Sequence, residues 1–101
     1  MRYALYRSGM IRSFKNSATR SFVLGGKSRW SGMDEAIARQ RFAELHAATA
    51  LSDLGNLNSV GLHKLKGDLK EFWSIDINGP WRILFVFDGG HAYKVHIHDP
   101  H

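Results

Sequence analysis

Three groups of side chains in this sequence can move protons or hold an anion, and all lie in its second half. The first is the run His63-Lys64-Leu65-Lys66-Gly67-Asp68. The second is Arg82, between Trp81 and Ile83. The third is His96-x-His98-Asp99-x-His101. Imidazole changes its charge close to neutral pH, so His63 and His101 are candidate proton carriers. A guanidinium held by a strand can grip a phosphate at two points, which makes Arg82 a candidate anion clamp. Lys66 can neutralise charge that develops on phosphorus. Proton carriers beside fixed positive charge are what cutting a phosphodiester requires, and RNA brings its own nucleophile in the 2′-hydroxyl. Cleavage of RNA is therefore the first expectation. The same residues also admit a plainer account: a solvated basic loop, and a surface arginine paired with Asp76 or Asp88.

His96 and His98 stand two apart on a strand, a spacing that can hold a metal. No cysteine occurs in the chain, and no clear carboxylate set surrounds the pair. The expectation is therefore no physiological metal and no cofactor. His101 has Asp99 close in sequence, which favours its protonated form, while Arg82 or Lys66 nearby would oppose it.

Fourteen Lys and Arg stand against nine Asp and Glu, a formal net charge of +5. That balance suits a polyanionic partner, with nucleic acid foremost. Arg20, Lys27, Arg29, Arg39, Arg41, Lys64, Lys70 and Lys94 are the candidate RNA or ribosome contacts, and such contacts make binding steeply salt-dependent. Each of them taken alone also reads as an ordinary exposed charge.

With 101 residues, one domain is expected. The 44% hydrophobic content suits a folded chain. No apolar run approaches the roughly 20 residues of a membrane helix, and the first nine residues have too short an apolar core for a secretory signal. A cytoplasmic protein is expected. Met10-Ile11-Arg12-Ser13-Phe14 looks like a natural beginning, which leaves residues 1–9 as an N-terminal extension and 10–101 as the domain.

The elements that would position these groups follow from period and punctuation. Ile11 to Phe14 reads as a short strand. Asn16 or Ser17 can cap a helix that stops at Gly25-Gly26. Ser31 is expected to cap a longer helix running to about Ala50, with Ala38, Phe42, Leu45 and Thr49 on one face. Ser52 to Gly61 reads as a loop. Asn78-Gly79-Pro80 and Asp88-Gly89-Gly90 then join three segments of period two into an antiparallel meander. Trp73, Ile75, Ile77, Ile83, Phe85, Phe87, Tyr93, Val95 and Ile97 are expected on the core side. Ser74, Asp76, Arg82, Lys94, His96 and His98 are expected on the other. The fold class is α+β, with two N-terminal helices packed on a twisted, mainly antiparallel sheet.

In this order and register, Met10-Ile11-Arg12-Ser13-Phe14, His63-x-Leu65-Lys66-Gly67-Asp68, Trp73-Ser74-Ile75, Trp81-Arg82-Ile83-x-Phe85-x-Phe87, Ala92-Tyr93 and Asp99-x-His101 resemble the HigB toxins of the RelE superfamily, over residues 10–101. The resemblance implies a compact microbial-RNase (RelE-like) fold. It also implies a toxin of a bacterial type II toxin–antitoxin pair that cuts mRNA in the ribosomal A site without a metal. The implied partners are a HigA-like helix-turn-helix antitoxin, through which alone operator DNA would be contacted, and the 70S ribosome with its mRNA. The family's site residues fall on His63, Lys66, Arg82, Asp99 and His101, and which of the proton carriers is acid and which is base stays open. The family usually ends Asp-Tyr-His, and Pro100 replaces the tyrosine here. Proline stiffens the tail and restricts Asp99 to extended backbone. A weakened module that binds RNA, ribosome or antitoxin without cutting is the alternative.

Overall fold

The computed structural model describes residues 10–57 and 60–98. The N-terminal extension at 1–9 and the tail residues Asp99, Pro100 and His101 lie outside the described residues.

The first helix, α1 (Ser17–Val23), begins where Asn16 accepts the amide of Thr19 at 2.9 Å. It ends where Gly25, at φ +103°, takes the left-handed turn. The second, α2 (Glu35–Ala47), is capped by Asp34 and not by Ser31. Gly32 (φ +90°) turns the chain between those two residues. Asp34 then accepts the amide of Ile37 at 3.0 Å. Its own amide donates to Asn78 Oδ1 at 2.7 Å, and Asn78 Nδ2 donates to Gly32 O at 3.0 Å. One asparagine thus ties the start of α2 to a turn of the sheet.

The segment expected to be a loop contains a one-turn helix, α3 (Leu51–Gly55). Its polar composition hid two determinants. Asp53 accepts the amides of Thr49 and Ala50 at 2.9 and 3.2 Å, and Leu54 is fully buried. α2 accordingly stops at Ala47, and Thr49 is exposed outside the helix face it was expected to share.

The sheet has four antiparallel strands in sequence order: β1 (His63–Lys64), β2 (Trp73–Asp76), β3 (Arg82–Asp88) and β4 (His91–His98). A short 3₁₀ turn over Gly67–Leu69 lies within the β1–β2 connection. The two expected hairpin turns are present. Gly89 and Gly90 have φ of +59° and +83°, the sign that a two-residue hairpin turn requires at both positions. The N-terminal segment adds parallel bridges to the outer edge of β4, Ile11 to Ala92 and Phe14 to Val95.

The helices cover one face of the sheet. Phe22, Ala38, Phe42, Leu45 and Leu54 meet Ile75, Ile83, Phe85, Val95 and Ile97 there. Tyr93 does not belong to that face. Leu84 pairs with His96 but Val86 pairs with Tyr93, so Lys94 and Val95 together stand opposite Phe85. This β-bulge shifts the alternation by one residue. Ala92 takes the core position at 1% exposure, and Tyr93 moves to the opposite face. Lys94 carries the bulge at φ +53°, and its amide donates to Ser13 Oγ at 2.9 Å.

Candidate active site

The face of the sheet away from the helices carries the polar residues, and strand register sorts them into rows. His63 pairs with Ser74, Ser74 with Leu84, and Leu84 with His96. Two residues further along β2, β3 and β4, Asp76 pairs with Arg82 and Arg82 with His98. Paired residues share a face, with strands about 4.8 Å apart and residues about 3.4 Å apart along each strand. His63 and Arg82 therefore stand on one face, two strands apart and one row offset, about 12 Å between Cα atoms by that spacing. Long side chains can span such a gap from both sides of one phosphodiester.

Arg82 is on the polar face as expected, but at the first residue of the inner strand β3 and not mid-strand; it is partly exposed, with Nη1 donating to Asp76 Oδ1. The expected plain partner is thus real. Among the described residues this is the guanidinium's one hydrogen-bonding partner. His98 lies beside Arg82 on β4, and the chain continues from it into Asp99, Pro100 and His101. Asp76 entered the sequence reading as a residue of the polar face and one of two possible partners, and it stands in the same row as the arginine. The signal was available, because Asp76 and Arg82 are equidistant from Gly79 in the hairpin.

The centre of this polar face is closed. Ser74, Leu84 and His96 are buried, and the ring of Phe72 meets His96 edge-on at 5.5 Å. His96 Nδ1 lies 3.0 Å from Lys94 O. A carbonyl only accepts, so Nδ1 carries the proton. Burial pushes the His96 pKa below its ordinary value of 6.5. Positive charge from Lys15 and from His98 acts in the same direction, against the opposing bond to Lys94. Burial thus favours the neutral form of His96, which has no open face toward substrate. Among the described residues no group of three metal-binding side chains comes together.

Lys66 is exposed in the β1–β2 connection, ahead of the turn that Gly67 opens at φ +66°. Its ammonium has no partner among the described residues. Lys64 is committed elsewhere, donating to Lys70 O and standing 5.8 Å over the Trp73 ring. Lys94 pairs with Glu71 at 3.4 Å.

Two of the expected RNA contacts are not loose surface charges. Arg41 is buried, with Nε donating to Asp76 O at 2.9 Å and Nη1 to Glu44 at 3.0 Å. It braces α2 against the end of β2. Arg39 stacks on Phe22 at 3.9 Å and donates to Phe22 O and Gly26 O at 2.8 and 3.0 Å. It closes the C-terminal end of α1. Arg41 is not a surface cation, because the distant Asp76 carbonyl and Glu44 take its donors; Arg39 is exposed but engaged by two carbonyls and a ring. Arg20, Lys27, Lys70 and Arg29 remain exposed. Arg29 lines a polar cavity of about 380 Å³ with Asn16, Ser17, Ala18, Trp30 and Ile97, at the end of β4 where the tail departs.

A larger cavity of about 500 Å³ opens between α1, α2 and the N-terminal segment. Its lining is mainly apolar and includes Ile11, Phe14, Leu24 and Phe42. His46, on its wall, accepts the amide of Ile11 at 3.1 Å. The cavity faces away from the polar rows, and its two chemistry-bearing side chains are engaged, His46 by the Ile11 amide and Arg39 by the Phe22 and Gly26 carbonyls. Size therefore points away from the chemistry, and the open ledge around Arg82 is the candidate site.

Comparison with known proteins agrees with the geometry. The chain is 36% identical over 93 residues to the Endoribonuclease HigB of Proteus vulgaris, covering 91% of this chain and 100% of the relative. The family described as RelE-like toxin of type II toxin-antitoxin system HigB matches residues 12–101. With a family match over residues 12–101 and a relative similar over its full length, the chain belongs to the HigB-like toxins, the RelE-like toxins of type II toxin–antitoxin systems.

Proposed function

We propose that this toxin is a ribosome-dependent mRNA endonuclease that cuts in the A site and so stops translation. The observation that carries the proposal is Arg82, held by the sheet on the same face as His63 and beside the strand end that leads to Asp99 and His101. The similar protein from Proteus vulgaris is named an endoribonuclease.

In the proposed reaction a base removes the proton of the 2′-hydroxyl. The oxygen attacks the adjacent phosphorus, and an acid protonates the departing 5′-oxygen. The products are a 2′,3′-cyclic phosphate, which water can open to the 3′-phosphate by breaking the P–O2′ bond, and a 5′-hydroxyl. His101 is a proton-transfer residue, with His63 or Asp99 as its counterpart. Arg82 and Lys66 hold the phosphate and offset the charge that grows on it. The nucleophile is internal to the RNA, so the scheme requires no metal to activate water.

A type II toxin has an antitoxin partner, and the proposal names a HigA-like helix-turn-helix protein, with the 70S ribosome and mRNA as the working partners. The test is translation in a reconstituted bacterial system with cut sites mapped. Wild type should cut ribosome-bound mRNA, His101→Ala should not, and a 2′-deoxy substitution at the cut site should block cleavage. Cutting of the 2′-deoxy message would overturn the mechanism. No cutting by wild type, with the ribosome still bound, would favour a binding module and single out Pro100.

A further inference from the structure

The carboxylate on Arg82 comes with space made for it. Gly61 faces Asp76 across the β1–β2 edge, where Asp76 N donates to Val60 O at 2.7 Å. A Cβ on Gly61 would collide with Asp76 Oδ2, and Gly61 itself is at φ +63°, where a side chain is strained as well. One carboxylate oxygen thus lies over the bare glycine while the other accepts from Arg82 Nη1. Arg41, from the helix side, holds the backbone carbonyl of Asp76 at 2.9 Å. Backbone, glycine and buried arginine together aim this carboxylate at the phosphate-gripping guanidinium.

We infer that Asp76 is an internal stand-in for the RNA phosphate, a carboxylate latch that occupies Arg82 in the resting toxin and sets its affinity for substrate. The inference rests on the nuclease reading above. A carboxylate and a phosphate offer a guanidinium the same pair of acceptor oxygens. The two side chains keep 38% and 40% of their surface exposed, and pairs that open to water are weak enough to exchange. An incoming phosphate therefore competes with Asp76 for Arg82 and meets a like charge as it arrives. Asp76 restrains binding; it is not required for the chemical step.

Single-turnover cleavage on programmed ribosomes, over a range of toxin concentration, separates half-saturation from maximal rate. Asp76→Asn keeps the shape and removes the charge. It should lower the half-saturating concentration roughly two- to fivefold, the scale of a partly exposed ion pair, with the maximal rate within about twofold. Asp88→Asn removes the same charge from an exposed turn at the far end of β3 and should leave both constants unchanged. Asp76→Ser is measured alongside in case the amide disturbs the fold. Unchanged half-saturation, a fall in maximal rate, or an equal effect from Asp88→Asn overturns the latch. So does failure of both Asp76 variants to fold, which would make the residue structural. A wild-type chain that cuts no message overturns the nuclease reading itself, so the two failures are distinct.

Discussion

The hydroxyl of Thr19 accepts the amide of Ile97 at 3.0 Å, with both residues buried. α1 is thereby fastened to β4 two residues before Asp99. Thr19→Val keeps the volume and removes the acceptor, leaving a buried N–H without a partner. The expected cost is about 1–3 kcal/mol. The melting temperature should fall by roughly 4–8 °C for each kcal/mol in a domain of this size. Thermal unfolding by circular dichroism measures it, and an unchanged Tm would show that the bond contributes nothing.

Burial of His96 makes stability depend on pH with a defined sign. Its folded pKa lies below 6.5, so the unfolded chain takes up a proton that the native state refuses. The stability this confers on the neutral form is complete above the unfolded pKa. It is lost as pH falls below about 6.5 toward the depressed folded value. Tm measured across pH 7.5 to 5 should decline for wild type, and His96→Gln should flatten that decline. Equal slopes would rule out His96 as its source.

The bulge at Lys94 holds a residue with a side chain at φ +53°. Glycine tolerates that backbone and a β-branched residue resists it. Lys94→Gly should leave Tm unchanged or raise it, and Lys94→Val should destabilise by about 1–2 kcal/mol. Urea unfolding of the two variants compares them directly. A Val variant as stable as the Gly variant would contradict the strained position.

The arginines divide into braces and contacts. Arg41→Ala abandons the Asp76 carbonyl and Glu44 and should cost about 2–3 kcal/mol, the scale of hydrogen bonds made by a charged group. Arg20→Ala, on the exposed side of α1, should leave Tm alone. It should weaken ribosome association and reduce the salt slope by about one if it meets a phosphate. Sedimentation with ribosomes at several salt concentrations reads the second effect. A stable Arg41→Ala protein would remove it from the braces.

What the sequence made legible was local. Asn78-Gly79-Pro80 and Asp88-Gly89-Gly90 announced the two hairpins, and the alternation between them put Arg82 and Asp76 on the face away from the core. What it hid was settled by distant partners. Tyr93 left the core face because a bulge pinned by Ser13, eighty-one residues upstream of Lys94, shifts the strand. α3 escaped because one buried leucine, Leu54, and one carboxylate, Asp53, outweigh its polar neighbours. Arg41 looked like a surface charge because the carbonyl it serves belongs to Asp76, thirty-five residues later.

The N-terminal segment, paired in parallel with β4 through Ile11 and Phe14, also bears on the order in which the sheet can be assembled. Ser13 accepts nothing from Lys94 and Val95 until those residues have been synthesised. A nascent chain that stops short of β4 leaves β3 as a bare edge, with nothing beside Arg82 on that flank. The ledge around Arg82 is therefore completed only when β4 has been made, and its assembly joins residues from both halves of the sequence.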